Sequence, residues 1–291
     1  MRKASKPTLR GRSRTSRRQP LRGGTSHARE TMAATRDSSE VRGALADLAV
    51  QLHQRAWATQ FQSLGMDSTL RLTVEARVAD FSATLRGLIE SGAYFEATGM
   101  FARNSDAELQ FLLAAFPLMR EADRATCLSD AWLRDLFGPR SIHGAGRPAV
   151  PLGTLRAMFR DAAPLGVAAR DALFRGQKRT ITVYRGFALR RGSAAGAARG
   201  ARGLEWSTRR DAAAWFALAG QPAGFRPVLL AASAPAAAVL AFFDDRHQAE
   251  CVIDATRLSA VRETRITAAD RAAHTRLCEE RQTETSPSPT A

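Results

Sequence analysis

The stretch RTITVYRGF, residues 179–187, decides the fold class, because it is the first part of this 291-residue chain with the character of a β-strand. Isoleucine, valine, threonine and tyrosine fit a pleated sheet well. We interpret Arg185 as the end of that strand, and the glycine after it permits a sharp turn or the close approach of a ligand. An anion-binding guanidinium and a plain surface charge are both consistent with this position.

The sequence before this strand predicts helices only. Apolar residues recur at helical spacing in residues 38–62, and Gly65 is expected to end that helix. Similar amphipathic stretches follow, one of them opened by a capping box from Ser105 to Glu108. Residues 38–177 are therefore predicted to form an all-α helical domain.

The sequence after this strand alternates between strand and helix character, which is typical of an α+β unit. Residues 178–265 make up this unit, and residues 266–291 predict a C-terminal helix and a disordered tail. Within the unit, we predict a short strand at 204–207, a helix that begins within 207–211, a buried strand at 227–235, a short apolar turn or helix at 236–243 and a further strand at 249–262.

The net charge of +15 is concentrated in the first 36 residues, which hold eleven Lys or Arg residues and one acid, Glu30. A segment so basic and so poor in apolar residues cannot bury enough surface to order itself. Residues 1–37 are therefore predicted to be a disordered basic tail that binds polyanions weakly and in a salt-dependent way. Met32 is an alternative start of translation, and the composition also fits a transit peptide.

The cysteine content and the apolar runs bear on the compartment. The three cysteines are widely spaced and make neither a disulfide framework nor a metal knuckle, which favours a reducing compartment. The longest apolar run, residues 227–243, is shorter than a membrane span and contains a proline. We expect a cytoplasmic protein without a membrane anchor.

Three features of the α+β unit together suggest a site. Arg185 follows a strand-like run, Ser207 and Thr208 lie where a strand gives way to a helix, and Gln248 and Glu250 lead into an apolar strand. Each has an ordinary structural explanation when taken alone. The arginine can be a surface charge, the hydroxyls can cap a helix, and the glutamate can protect an edge strand from aggregation.

In this order the three features resemble the mono-ADP-ribosyltransferases of the Arg–Ser–Glu class. That family has a strand-end arginine, a Ser-Thr strand followed by a helix, and a glutamate that opens a later strand. The matching stretches are VYRGF (183–187), EWSTRRDAAAWFA (205–217) and QAECVID (248–254). The resemblance is closest to compact bacterial and phage modules, and it implies that the α+β unit is a small split β-sandwich.

The resemblance implies that NAD is the co-substrate, that no metal takes part, and that ADP-ribose passes to an acceptor through an oxocarbenium-like transition state. Glu250 would be catalytic, stabilising the positive charge and holding the ribose 2′-hydroxyl. Arg185 would bind the pyrophosphate with its bidentate guanidinium, and Gly186 would let the backbone come close.

The resemblance also implies roles for hydroxyl and aromatic side chains. Ser207 and Thr208 would organise the pocket at the start of a helix, whose positive end favours negative charge. The family places aromatic rings against the nicotinamide, and Tyr184 and Phe216 are the candidates in this chain.

The sequence departs from the family pattern at two positions, one of which concerns the acceptor. Gln248 stands two residues before Glu250, where a glutamate goes with arginine as the acceptor. A glutamine there goes with other acceptors, so Gln248 is expected to orient an unidentified acceptor other than arginine. Arg209 also replaces the second serine of the family's Ser-Thr-Ser.

Two alternatives stay open at this stage. The same fold can serve as an NAD glycohydrolase or as a degenerate NAD-binding module. The chain can also be a non-enzymatic helical scaffold whose basic tail binds nucleic acid.

Overall fold

Helices dominate the first half of the structure, a computed structural model. The residues it describes are 39–64, 68–102, 105–134, 136–137, 150–176, 179–193, 198, 200–219, 223–244 and 249–285. The helices before the first strand are α1 (Ser39–Leu64), α2 (Ser68–Glu90), α3 (Tyr94–Gly99), α4 (Asp106–Ala115), a 3₁₀ turn (Phe116–Leu118), α5 (Glu121–Leu133), α6 (Leu152–Asp161) and α7 (Ala163–Leu173). The predicted cap of α4 is confirmed, because the Ser105 hydroxyl accepts a hydrogen bond from the Glu108 backbone N–H at 3.1 Å.

The described residues of the second half form one six-stranded antiparallel sheet with the order β4-β5-β2-β1-β3-β6. The predicted α+β class is therefore confirmed, while the split into two sandwiched sheets stays a prediction. The strands and the remaining helices are β1 (Thr180–Arg190), β2 (Glu205–Ser207), α8 (Arg210–Leu218), β3 (Phe225–Pro235), β4 (Val239–Phe243), β5 (Glu250–Ile253), β6 (Ser259–Thr264) and α9 (Ala268–Thr285).

The prediction that Arg185 ends its strand is wrong. Strand β1 pairs with β3 along its whole length, from Thr180 opposite Pro235 to Arg190 opposite Phe225. Because this ladder satisfies backbone groups on both sides of Gly186, the strand runs five residues past Arg185.

Two other predicted segments also differ. Residues 236–243 are a 3₁₀ turn followed by strand β4, which pairs with β5. Residues 249–262 are two strands that lie far apart in the sheet order, β5 and β6. Asp254 ends β5, and its side chain accepts a hydrogen bond from the Thr256 N–H and starts a 3₁₀ turn that redirects the chain.

The two faces of the sheet pack against different partners. On one face, Ala241, Phe243 and Val252 join the apolar core of the helices, so the helical region and the sheet share a core. The other face carries a separate apolar cluster that includes Val183, Phe187 and other strand residues. The described residues belong to one compact unit, and the domain boundary at 177/178 stays a prediction. None of the described helices combines the length and apolarity needed to cross a membrane.

Candidate functional site

Strands β1, β2 and β5 are neighbours and carry three of the predicted site residues in one row. Tyr184 lies directly opposite Ser207, and Ser207 lies directly opposite Glu250. Directly paired residues of an antiparallel sheet point to the same face and lie about 4.5–5.5 Å apart at Cβ. The structure therefore brings Tyr184, Ser207 and Glu250 together. In the sequence they are far apart, since Arg185, the residue after Tyr184, lies 65 positions before Glu250.

Glu250 is half-buried and receives a hydrogen bond from the helical region. The indole Nε1–H of Trp132, on α5, donates to its Oε1 at 2.9 Å. Trp132 is only 3% exposed and packs edge-on against Phe159, with 5.0 Å between ring centroids. Its orientation is thus fixed by the helical core. The sequence offered no signal for this contact, because the two residues lie 118 positions apart.

The residue before Glu250 has an unusual backbone conformation. Ala249 has φ = +43°, in the left-handed region that residues with a Cβ seldom adopt. Its carbonyl accepts a hydrogen bond from the Thr208 N–H at 3.1 Å, which ties the start of β5 to the end of β2. Such backbone strain clusters at functional sites and is held by the surrounding structure. The sequence did not indicate this conformation, because an alanine gives no sign of a left-handed backbone.

The Ser207 hydroxyl has a local role at the start of α8. Its Oγ accepts a hydrogen bond from the Arg209 N–H at 2.9 Å, and the side chain is buried. This bond forms a turn between β2 and α8, but it is not a helix cap, because the N-cap residue of α8 is Arg209 and no side chain caps it. The capping explanation from the sequence is therefore not confirmed. The side chain of Asp211, in the first turn of α8, pairs with Arg209 at 2.5 Å, and this hydrogen bond lowers the pKa of Asp211.

Arg185 lies on the opposite face of the sheet from the Tyr184–Ser207–Glu250 row, because neighbouring residues of a strand point to opposite sides. Its Nη1–H donates to the backbone carbonyl of Glu205 and lies 3.4 Å from the Glu205 carboxylate. The guanidinium rests on Gly203, where an added Cβ would come within 2.3 Å of its Cζ. The structure thus uses Arg185 to join β1 to β2.

The other predicted site residues lie elsewhere. Gly186 faces α8, and a Cβ there would come within 1.6 Å of the Ala213 carbonyl oxygen, so this glycine admits a helix rather than a ligand. Phe216 lies on α8 with its ring edge-on to Trp215, at 5.1 Å between centroids. Gln248 lies outside the described residues, so its predicted role is still a prediction.

Within the described part of the chain, no group of three or more His, Cys, Asp or Glu side chains is arranged to hold a metal ion. What the arrangement offers is a half-buried carboxylate, a neighbouring hydroxyl and a fixed indole donor. Comparison with protein-family models, curated proteins and solved structures gave no match. Any functional inference therefore depends on the geometry of these residues.

Proposed function

We propose that this chain is an NAD-dependent mono-ADP-ribosyltransferase in which Glu250 is the catalytic carboxylate. The observation that carries the proposal is the row of Tyr184, Ser207 and Glu250 across β1, β2 and β5. A Ser-Thr pair at a strand–helix junction and a glutamate that opens a later strand are two of the three features of the resemblance. The third, an arginine at a strand end, is absent, because β1 continues past Arg185. The two features that are present come from separate parts of the sequence and meet on one face.

The chemistry of the site fits cleavage of a glycosidic bond. In the proposed reaction the bond between ribose C1′ and the nicotinamide nitrogen breaks, and the electron pair leaves with nicotinamide. A lone pair of the acceptor then bonds to C1′, and the acceptor loses a proton. A fixed carboxylate close to the ribose lowers the energy of the positively charged transition state. Glu250 is suited to this role, because Trp132 donates a hydrogen bond to one carboxylate oxygen and holds the side chain in place.

Ser207 and Tyr184 extend the proposed ribose and nicotinamide subsite. The Ser207 side chain lies beside Glu250, and the half-buried ring of Tyr184 follows in the same row. Their proposed roles are to orient the sugar and to contact the nicotinamide ring.

Arg185 has two candidate roles. The resemblance assigns it to the pyrophosphate, whose oxygens match a guanidinium fork. Its bond to Glu205, and its position on the opposite face of the sheet from Glu250, support a role in joining two strands. The two roles predict different outcomes when this arginine is substituted.

The direct test incubates the full-length protein with NAD labelled on the adenylate phosphate, with and without a cell lysate as the source of acceptors. Label that becomes covalently attached to a macromolecule supports the proposal. Release of nicotinamide with no attached label, in both conditions, would replace transfer by NAD hydrolysis. Intact NAD in both conditions contradicts the proposal and favours the non-enzymatic alternative.

A further inference from the structure

A second candidate site lies at the other end of strand β5 from Glu250. It is a cavity of about 230 Å³ between α6, α7, the start of β4 and the 3₁₀ turn after β5. Three arginines from three different elements line it, and the described lining residues include no carboxylate: Arg160 on α6, Arg170 on α7 and Arg257 on the 3₁₀ turn. The cavity is therefore strongly basic.

The nearest described acid behind this cavity is already neutralised. Asp254 is fully buried, and its carboxylate lies 3.3 Å from Arg156 Nε, 2.5 Å from Arg160 Nη2 and 3.5 Å from Arg257 Nε. Burial opposes ionisation, but hydrogen bonds from Thr256 and Arg160 hold the pKa of Asp254 below its ordinary value. The single negative charge of Asp254 thus faces three arginine charges, which leaves a net local charge of +2.

The arginines have more donors than this carboxylate can accept. Each guanidinium carries five N–H groups, whereas a carboxylate offers about four acceptor positions. Arg160 and Arg257 are 50% and 52% exposed, so they extend from the buried acid towards solvent and the cavity. Arg257 Nη1 also donates to the Ala237 carbonyl at 3.2 Å, and the remaining N–H groups of the two guanidinium groups can serve a ligand with several oxygens.

Arg170 adds a positive charge from outside the Asp254 ion pairs. Its guanidinium lies across Gly166, where an added Cβ would be 3.0 Å from Nη1. Ala163 and Gly166, in the first turn of α7, line the same cavity. The positive end of the helix dipole therefore adds to the charge of the arginines.

We propose that this cavity binds the phosphate or pyrophosphate group of a small molecule. Arginine forks match phosphate oxygens in bidentate geometry, and a space of about 230 Å³ suits a phosphoryl group with a small part of its ligand. Glu250 opens β5 and Asp254 follows its last residue, so this site is distinct from the proposed NAD-cleaving site. It stands whether or not the chain acts on NAD.

The test is a calorimetric titration of the full-length protein with inorganic pyrophosphate at low salt. The informative variant is Arg170→Gln, which leaves the Asp254 ion pairs in place, and its matched control is Arg226→Gln. Arg226 is 42% exposed and pairs with Glu263 on β6, away from the cavity. Both variants keep the basic N-terminal residues. A difference in pyrophosphate affinity between Arg170→Gln and Arg226→Gln therefore comes from the cavity.

We expect Arg170→Gln to weaken pyrophosphate binding about 10-fold, the usual effect of losing one charge-assisted contact, and Arg226→Gln to leave it unchanged. Equal affinities in Arg170→Gln and Arg226→Gln, or absence of pyrophosphate binding to the wild-type protein, overturns the proposal.

Discussion

The indole Nε1 of Trp132 lies 2.9 Å from Oε1 of Glu250, so a buried residue of the helical region donates a hydrogen bond to the proposed catalytic carboxylate. A hydrogen bond to a charged group contributes more to stability than one between neutral groups. The helical region therefore contributes a residue to the proposed site.

Substitution of Trp132 by phenylalanine removes this donor and keeps an aromatic ring against Phe159. We expect turnover of NAD to fall about 10-fold, because the carboxylate loses one fixed hydrogen-bond donor. Steady-state kinetics of nicotinamide release measure the effect.

The matched control for that variant is Trp57→Phe. Trp57 also donates an indole hydrogen bond at 2.9 Å, but to His53 in helix α1. This control should leave the rate of NAD turnover unchanged. A folded Trp132→Phe variant with the wild-type rate would show that the contact does not act on Glu250.

The left-handed conformation of Ala249 predicts how the start of β5 responds to substitution. A β-branched residue fits this region poorly, so Ala249→Val should lower the free energy of unfolding by about 1–2 kcal/mol. Ala260 has φ = +50° and lies exposed on β6, so Ala260→Val is the matched control for the backbone cost. Denaturant unfolding should show a loss in both variants, whereas NAD turnover should fall only in Ala249→Val. Full stability and full activity in Ala249→Val contradict this account.

Arg185→Lys separates the two candidate roles of the arginine. A lysine cannot reproduce the bidentate fork, so a pyrophosphate role predicts NAD binding about 10-fold weaker, whereas a strand-joining role predicts only a loss of stability from the weakened link to Glu205. Glu205→Gln alters only the 3.4 Å contact with the side-chain carboxylate and leaves the arginine, so it should not weaken NAD binding. Equilibrium binding of NAD distinguishes the outcomes: a destabilised Arg185→Lys variant with unchanged NAD affinity would leave only the strand-joining role.

The reactivity of the cysteines reports on the integrity of β5. Burial raises the pKa of Cys251 to about 12, with a further contribution from the charge of Glu250, and burial raises the pKa of Cys127 to about 12 as well. Only Cys278 is partly exposed. Because the thiolate is the reactive form, a maleimide or thiol reagent at pH 8 should modify one cysteine per native chain and three in denaturant. Labelling of Cys251 as fast as Cys278 in the native protein would show that β5 is not buried as described.

The sequence predicted the parts of the fold that depend on local pattern. The β-branched run 179–187, the buried strand at 227–235 and the serine cap at Ser105 were all recognisable, because residue type and spacing report local conformation directly. The end of the first strand was wrongly predicted at Arg185, because the following glycine suggests a strand end. In the structure Gly186 instead leaves room for the backbone of α8.

The parts that were missed depend on contacts between distant segments. Residues 249–262 look like one strand, but the buried Asp254 and its arginine partners turn the chain and send β6 to the other side of the sheet. The proximity of Ser207 to Glu250 was expected only from the resemblance. In the structure it follows from the register between β2 and β5. The Trp132 contact spans 118 positions and follows from how the helices pack on the sheet.

The most direct test of the central claim is the rate at which Glu250→Gln releases nicotinamide from NAD, compared with Glu263→Gln. Glu263 is a 42%-exposed glutamate on β6 that pairs with Arg226, so its substitution controls for loss of a carboxylate. We predict that Glu250→Gln lowers turnover by at least about 100-fold, the effect of losing one group that stabilises transition-state charge, with an unchanged circular dichroism spectrum and unfolding midpoint. Glu263→Gln should keep the wild-type rate. A folded Glu250→Gln variant that turns over NAD at nearly the wild-type rate would contradict the assignment of Glu250 as the catalytic residue.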